Sequence, residues 1–251
     1  MRMLGFVVAA LMMLPASVLA QQPSACDLPS YLLMSDNLLS RVSIVVHDRR
    51  KLDIVVVGTG SSSLPGVGGP SNAYPAKLQT ELRRRLQGIE VNVTADTKSG
   101  RSAGEMVKSI EGIVKAGSPP ALVIWQTGTY DAMHGLETDE FRDEISDGID
   151  KLKAAGVDSI LVNMQYSPRT ETMLALDPYA ESMRVVAREQ DVPLFDRLAI
   201  MRYWNDIGAF DLYASGKDPK MAQQVHDCLG RALASVVIDA GQLSATAKAS
   251  R

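Results

Sequence analysis

Asp53-Ile-Val-Val-Val-Gly58-Thr-Gly-Ser-Ser-Ser-Leu-Pro-Gly-Val-Gly-Gly69 is the stretch on which the fold turns. Its first part is a short continuous apolar run, the pattern of a strand covered on both faces in a parallel sheet. A loop of small residues follows, and then Leu78, Leu82 and Leu86 recur at helical spacing while Arg83, Arg84 and Arg85 turn mostly to water. The alternation continues along the chain. Strands are predicted at 53–58, 90–94, 121–126, 159–164 and 192–195. Helices are predicted at 29–46, 74–86, 102–116, 138–155, 177–190 and 218–240, with a Thr138 cap on the fourth and Asp218-Pro219 opening the last. Strands separated by helices of this length make βαβ units, so the expectation is a three-layer α/β/α sandwich around a mainly parallel sheet of about five strands, flavodoxin-like in kind.

Composition limits what such a domain does. The 251 residues are 46% hydrophobic and 22% charged, with a formal net charge of −3. That is enough apolar mass for one large core, too much for a disordered chain, and the wrong charge for a nucleic-acid binder working by bulk basicity. Two cysteines and three histidines, none at metal-ligand spacing, point to no metal site and no cofactor. The Arg83–Arg85 cluster reads as a solvated helix face.

Met1-Arg2-Met3 starts the chain with positive charge, Leu4 to Leu19 is mostly apolar, and Val18-Leu19-Ala20 precedes a polar Gln21-Gln22-Pro23. This reads as a signal peptide over 1–20. A membrane anchor is the other reading, but the run is short for a span. A single domain over 21–241 and a flexible tail over 242–251 follow, with the product exported to the periplasm or secreted. In an oxidising compartment Cys26 and Cys228, at opposite ends of the domain, are expected to bond; the alternative is two buried thiols.

Ligands of open α/β sheets bind beyond the carboxyl ends of the strands, which is where the loop after Gly58 lies. A dinucleotide loop needs glycine where Ser63 stands, and a phosphate loop needs a lysine that is missing. What remains is a nucleophilic serine on a tight strand-to-helix turn, or a flexible surface loop.

Two further segments sharpen this: Lys98-Ser-Gly100-Arg-Ser-Ala-Gly104 after the second strand, and Gln126-Thr-Gly128-Thr-Tyr-Asp131 after the third. Over roughly 26–240 the chain resembles the SGNH (GDSL-type) hydrolase superfamily, which carries G-[DS]-S at the first strand's exit, a glycine after the second strand and G-x-N-D after the third. The resemblance implies hydrolysis of an ester, such as an acetyl or short acyl group on a carbohydrate or small molecule, through an acyl-serine. Matched residue by residue, Gly60-Ser61-Ser62 falls on the first block with Ser62 as nucleophile. Gly100 falls on the oxyanion glycine, and Gly128 to Asp131 on the third block.

Departures from the pattern fall on the working positions. Tyr130 stands in place of the oxyanion asparagine. The C-terminal D-x-x-H block is missing, with Lys217 and Lys220 near its positions. His226, the one histidine of that region, is a candidate base with Asp218 or Asp211 as orienter, or else a helix-face histidine beside Cys228. Two readings of function therefore stand: an exported serine esterase using Ser62, His226 and Asp218, or a catalytically impaired protein of the same fold that binds a ligand or an envelope partner.

Overall fold

The structure is a computed structural model that describes residues 25–66, 68–213 and 219–244. In chain order the helices are α1 (Ser40–Arg49), α2 (Gly69–Asn72), α3 (Tyr74–Arg85), α4 (Ala103–Lys115), α5 (Thr129–His134), α6 (Thr138–Ala154), α7 (Pro168–Met173), α8 (Asp177–Glu189), α9 (Arg197–Asp206) and α10 (Pro219–Ala240). The strands are β1 (Lys51–Gly58), β2 (Glu90–Thr97), β3 (Leu122–Gln126), β4 (Asp158–Val162) and β5 (Leu194–Phe195), with short 3-10 turns at Ser30–Leu32 and Gly60–Ser62.

All five strands pair in parallel, in the order β2-β1-β3-β4-β5. Every residue of β3 is buried, as expected of a central strand with helices on both faces. α1, α3 and α10 form one outer layer; α4, α6 and α8 form the other. Small residues set how closely these layers approach. A Cβ on Gly230 would lie 2.8 Å from the Leu78 backbone nitrogen, so α10 can lie directly on α3 only with glycine there. The order reverses direction between β1 and β3, and that switch point is where a sheet of this kind opens a crevice at its carboxyl edge.

All four amide groups that a helix start leaves unpaired are satisfied at α4 by carboxylates and a hydroxyl, the Ser102 N–H by Glu105 Oε2 at 2.9 Å. Asp131 Oδ1 accepts from Ala103 N–H at 2.9 Å, Glu144 Oε2 from Gly104 N–H at 2.9 Å, and Ser102 Oγ from Glu105 N–H at 3.2 Å, the last as half of a capping box with Glu105. Burial pushes the Asp131 and Glu144 carboxyls above the usual range.

The predicted helix over 29–46 is broken in two. Ser35 Oγ accepts from Asn37 N–H at 3.2 Å, and the Asn37 side chain donates to Val192 O at 3.0 Å, so local polar side chains take the backbone out of the helix until Ser40. α6 has Glu137, not Thr138, at its N-cap, and no side chain caps it. α9 was not anticipated; Asp196 caps it by accepting from Ala199 N–H at 2.9 Å. Cys26 and Cys228 form a disulfide.

Candidate functional site

β1 delivers the chain to the carboxyl edge at Gly58, and the loop beyond it is pinned by one acceptor. Gln126, the last residue of β3, receives the Thr59 N–H at 3.0 Å, Thr59 Oγ1 at 2.7 Å, Ser61 Oγ at 3.3 Å and Ser62 Oγ at 2.9 Å, all on Oε1. The surface-loop alternative is thereby excluded: the turn is fixed to the central strand by its own hydroxyls. A 3-10 turn advances three residues per revolution, so adjacent side chains point to different sides. Ser61 faces a cavity. Ser62 faces inward and is 1% exposed. Its Oγ also pairs with the Tyr74 phenol at 3.0 Å, and a Cβ on Gly58 would sit 2.5 Å from that oxygen. Ser62, expected as the nucleophile on this turn, is a buried, doubly bonded hydroxyl.

His226 comes to the same region from α10. Its Nδ1 accepts the backbone N–H of Tyr74 at 3.0 Å. A ring nitrogen that accepts an N–H carries no proton, so the neutral ring holds its proton on Nε2. Burial, and then the positive charge of Arg197, push the imidazole down to about 3. Ser62 and His226 thus bond to two ends of one residue, the Tyr74 phenol and the Tyr74 amide, and not to each other. Burial also pushes the Tyr74 phenol up.

Arg197, the first residue of α9, is 1% exposed. Its Nη1 donates to Ser61 O at 3.1 Å and Ser61 Oγ at 3.3 Å, its Nη2 to Gln165 Oε1 at 2.9 Å, and its guanidinium lies 5.7 Å from the Tyr74 ring centroid. Burial lowers it to about 10, so it remains a cation at neutral pH. The polar walls of a cavity of about 360 Å³ include Ser61, Ser63, Gln165, Arg197, Gln223 and His226, and its apolar walls include Leu64 and Met201. That volume suits a small organic molecule.

The second and third blocks meet each other nearby. Gly100 has φ +76, and a Cβ there would touch Tyr130 Cε2 at 4.0 Å. Gly128 has φ +97, and a Cβ there would lie 2.5 Å from Met164 Sδ, so glycine is required for both conformation and space. The Tyr130 ring stacks on His134 at 3.9 Å between centroids, and His134 Nδ1 lies 2.9 Å from Tyr130 O. Neither glycine nor Tyr130 lines the cavity that holds His226. Gly100 and Tyr130 thus meet each other outside the lining of the cavity that includes His226. Asp131 is committed to capping α4. Asp218 and Lys217 lie outside the described residues.

The sequence reading gave no role to Arg197, Ser61, Gln165 or Gln126. One signal for Arg197 was available: a cationic residue two positions beyond the last strand, at the edge where ligands bind.

Several solved structures share this fold. AlinE4, an SGNH-hydrolase family esterase, is 22% identical with a TM-score of 0.51, covering 68% of this chain and 82% of its own. A variant of Axe2, an acetyl-xylooligosaccharide esterase from Geobacillus Stearmophilus, is 15% identical with a TM-score of 0.57, covering 74% and 94%. A putative lipolytic protein of the G-D-S-L family from Desulfitobacterium hafniense DCB-2 is 18% identical with a TM-score of 0.55, covering 73% and 98%. The model of the Non-GDSL lipase-like family matches residues 25–243. Among curated proteins no relative matches.

Proposed function

Because the chain belongs to the Non-GDSL lipase-like family and has the fold of SGNH ester hydrolases, we propose that it is an exported protein that binds a small acyl- or ester-bearing molecule in the cavity between the β1 loop and α10. The N-terminal sequence and the Cys26–Cys228 disulfide support export, and no helix among the described residues is long and apolar enough to cross a membrane.

One observation carries the binding reading: the state of His226. A general base needs a free lone pair aimed at the nucleophile and a pKa near the working pH. The Nδ1 lone pair of His226 is taken by Tyr74, its other nitrogen holds a proton, and its pKa lies at about 3. With Nδ1 occupied, any hydrogen bond that the neutral ring makes to a ligand in the cavity it lines is as a donor. Arg197 presents another, and a carbonyl or carboxylate oxygen is the group such walls accept.

Ester hydrolysis through an acyl-serine is the second reading, favoured by family and fold. It requires Ser62 to leave Tyr74 and Gln126, and His226 to release Tyr74 N–H. Asp218 then orients His226, and Gly100 and Tyr130 donate to the oxyanion. Each buried hydrogen bond given up leaves an unpaired group at roughly 1–3 kcal/mol. The two readings separate on the purified chain. Binding alone predicts p-nitrophenyl acetate turnover at buffer background and no labelling by a fluorophosphonate, while octanamide shifts the His226 Nε2–H resonance. Labelling that disappears in Ser62→Ala establishes the acyl-serine route instead.

A further inference from the structure

Arg197 is a buried cation whose partners are all neutral. Of its five N–H groups, the three bonds to Ser61 and Gln165 leave at least two unfilled, and Nε is buried with no partner. Other arginines that are partly withdrawn from water have carboxylates: Arg101 pairs with Asp96 at 2.9 Å, Arg184 with Asp196 at 2.8 Å, and Arg202 with Glu171 and Asp177 at 2.7 Å. Asp196, next to Arg197 in the chain, directs its carboxylate to Arg184, Asn163 and the Ala199 amide. No carboxylate among the described residues neutralises Arg197. A charge taken out of water without a counterion is strongly disfavoured, and this one sits in a cavity wall at the positive end of α9.

We infer that the missing counterion is the ligand, and that the cavity takes an organic monocarboxylate with an apolar tail. The inference rests on the binding reading above and names its chemical class. Among the described residues that line the cavity Arg197 is the one cation, which matches a single negative charge better than a phosphate dianion. A guanidinium N–H gives a carboxylate a charge-assisted hydrogen bond, shorter and stronger than one between neutral groups. The neutral His226 adds an Nε2–H donor from α10. Leu64, Met201 and Leu212 offer an apolar wall for the remainder of the molecule. This geometry makes no bond; it holds an anion.

The test is calorimetric titration of the full mature chain at pH 7 with octanoate and with octanamide, which differ in charge and little in shape. Octanoate is expected to bind at least tenfold more tightly. Arg197→Met is expected to reduce octanoate to the level of octanamide, and Arg197→Lys to retain part of the preference. Equal affinities of acid and amide for the wild-type chain overturn the inference, as does unchanged octanoate binding in folded Arg197→Met. Should Arg197→Met fail to fold, the wild-type ratio decides alone. Octanamide shifting His226 while octanoate binds no tighter removes the carboxylate and leaves the binding site. Failure of both ligands to bind removes both proposals.

Discussion

Lowering the pH from above 6.5 to 4 is expected to destabilise the wild-type chain by roughly 3 kcal/mol more than a His226→Gln variant. The cause is the difference between the histidine of the unfolded chain, which titrates at about 6.5, and His226 in the fold, held down to about 3 by burial and by Arg197. Between those values the unfolded state binds a proton that the native state refuses. The stabilising contribution is complete above the unfolded pKa and is lost as pH falls towards 3. Glutamine keeps an acceptor for the Tyr74 amide but has nothing to protonate. Asp131, Glu144 and Asp158, pushed up by burial, act in the opposite sense. They are present in both proteins and cancel in the difference. Urea midpoints at pH 7.5 and 4 measure the effect; parallel losses in the two proteins contradict it.

Removing the disulfide is the second large perturbation. Cys26 and Cys228 are separated by 202 positions, and a loop of that length stabilises the fold by about 5 kcal/mol in the chain-entropy model. The bridge ties the start of the domain to α10 two residues beyond His226. Cys26→Ser/Cys228→Ser is therefore expected to lower the urea midpoint strongly. It is also expected to loosen the α10 side of the cavity, seen as faster amide exchange around His226. A stability change below about 1 kcal/mol would show that the unfolded chain is already restrained without the bridge.

The architecture was legible because its signal is local and repeated. The run ending at Gly58, the leucine stripe of α3 and the buried β3 each state their environment in their own composition. Where reading failed, side chains intervened from a distance or at short range: Ser35 and Asn37 breaking the first helix, and Asp196 starting α9. The site was harder for the same reason. The loop after β1 was placed correctly at the carboxyl edge. Which of its serines turns outward depends on Gln126, Tyr74 and Gly58 meeting in space, and no spacing along the chain encodes that. His226 was identified as the histidine of the region, but its role is fixed by the Tyr74 amide. That contact joins residues 152 positions apart. Arg197 was overlooked because an arginine is ordinarily solvated, and only the fold shows that this one is enclosed without a carboxylate.

The account rests on His226 offering a proton to the cavity, not a lone pair. Long-range nitrogen–proton NMR correlation of the histidine rings reads this directly. The expected spectrum has His226 as the Nε2–H tautomer, neutral from pH 7.5 down to the acid limit of the fold. A ring protonated on Nδ1, or one that titrates near 6.5, would make His226 a base and contradict the binding site described above.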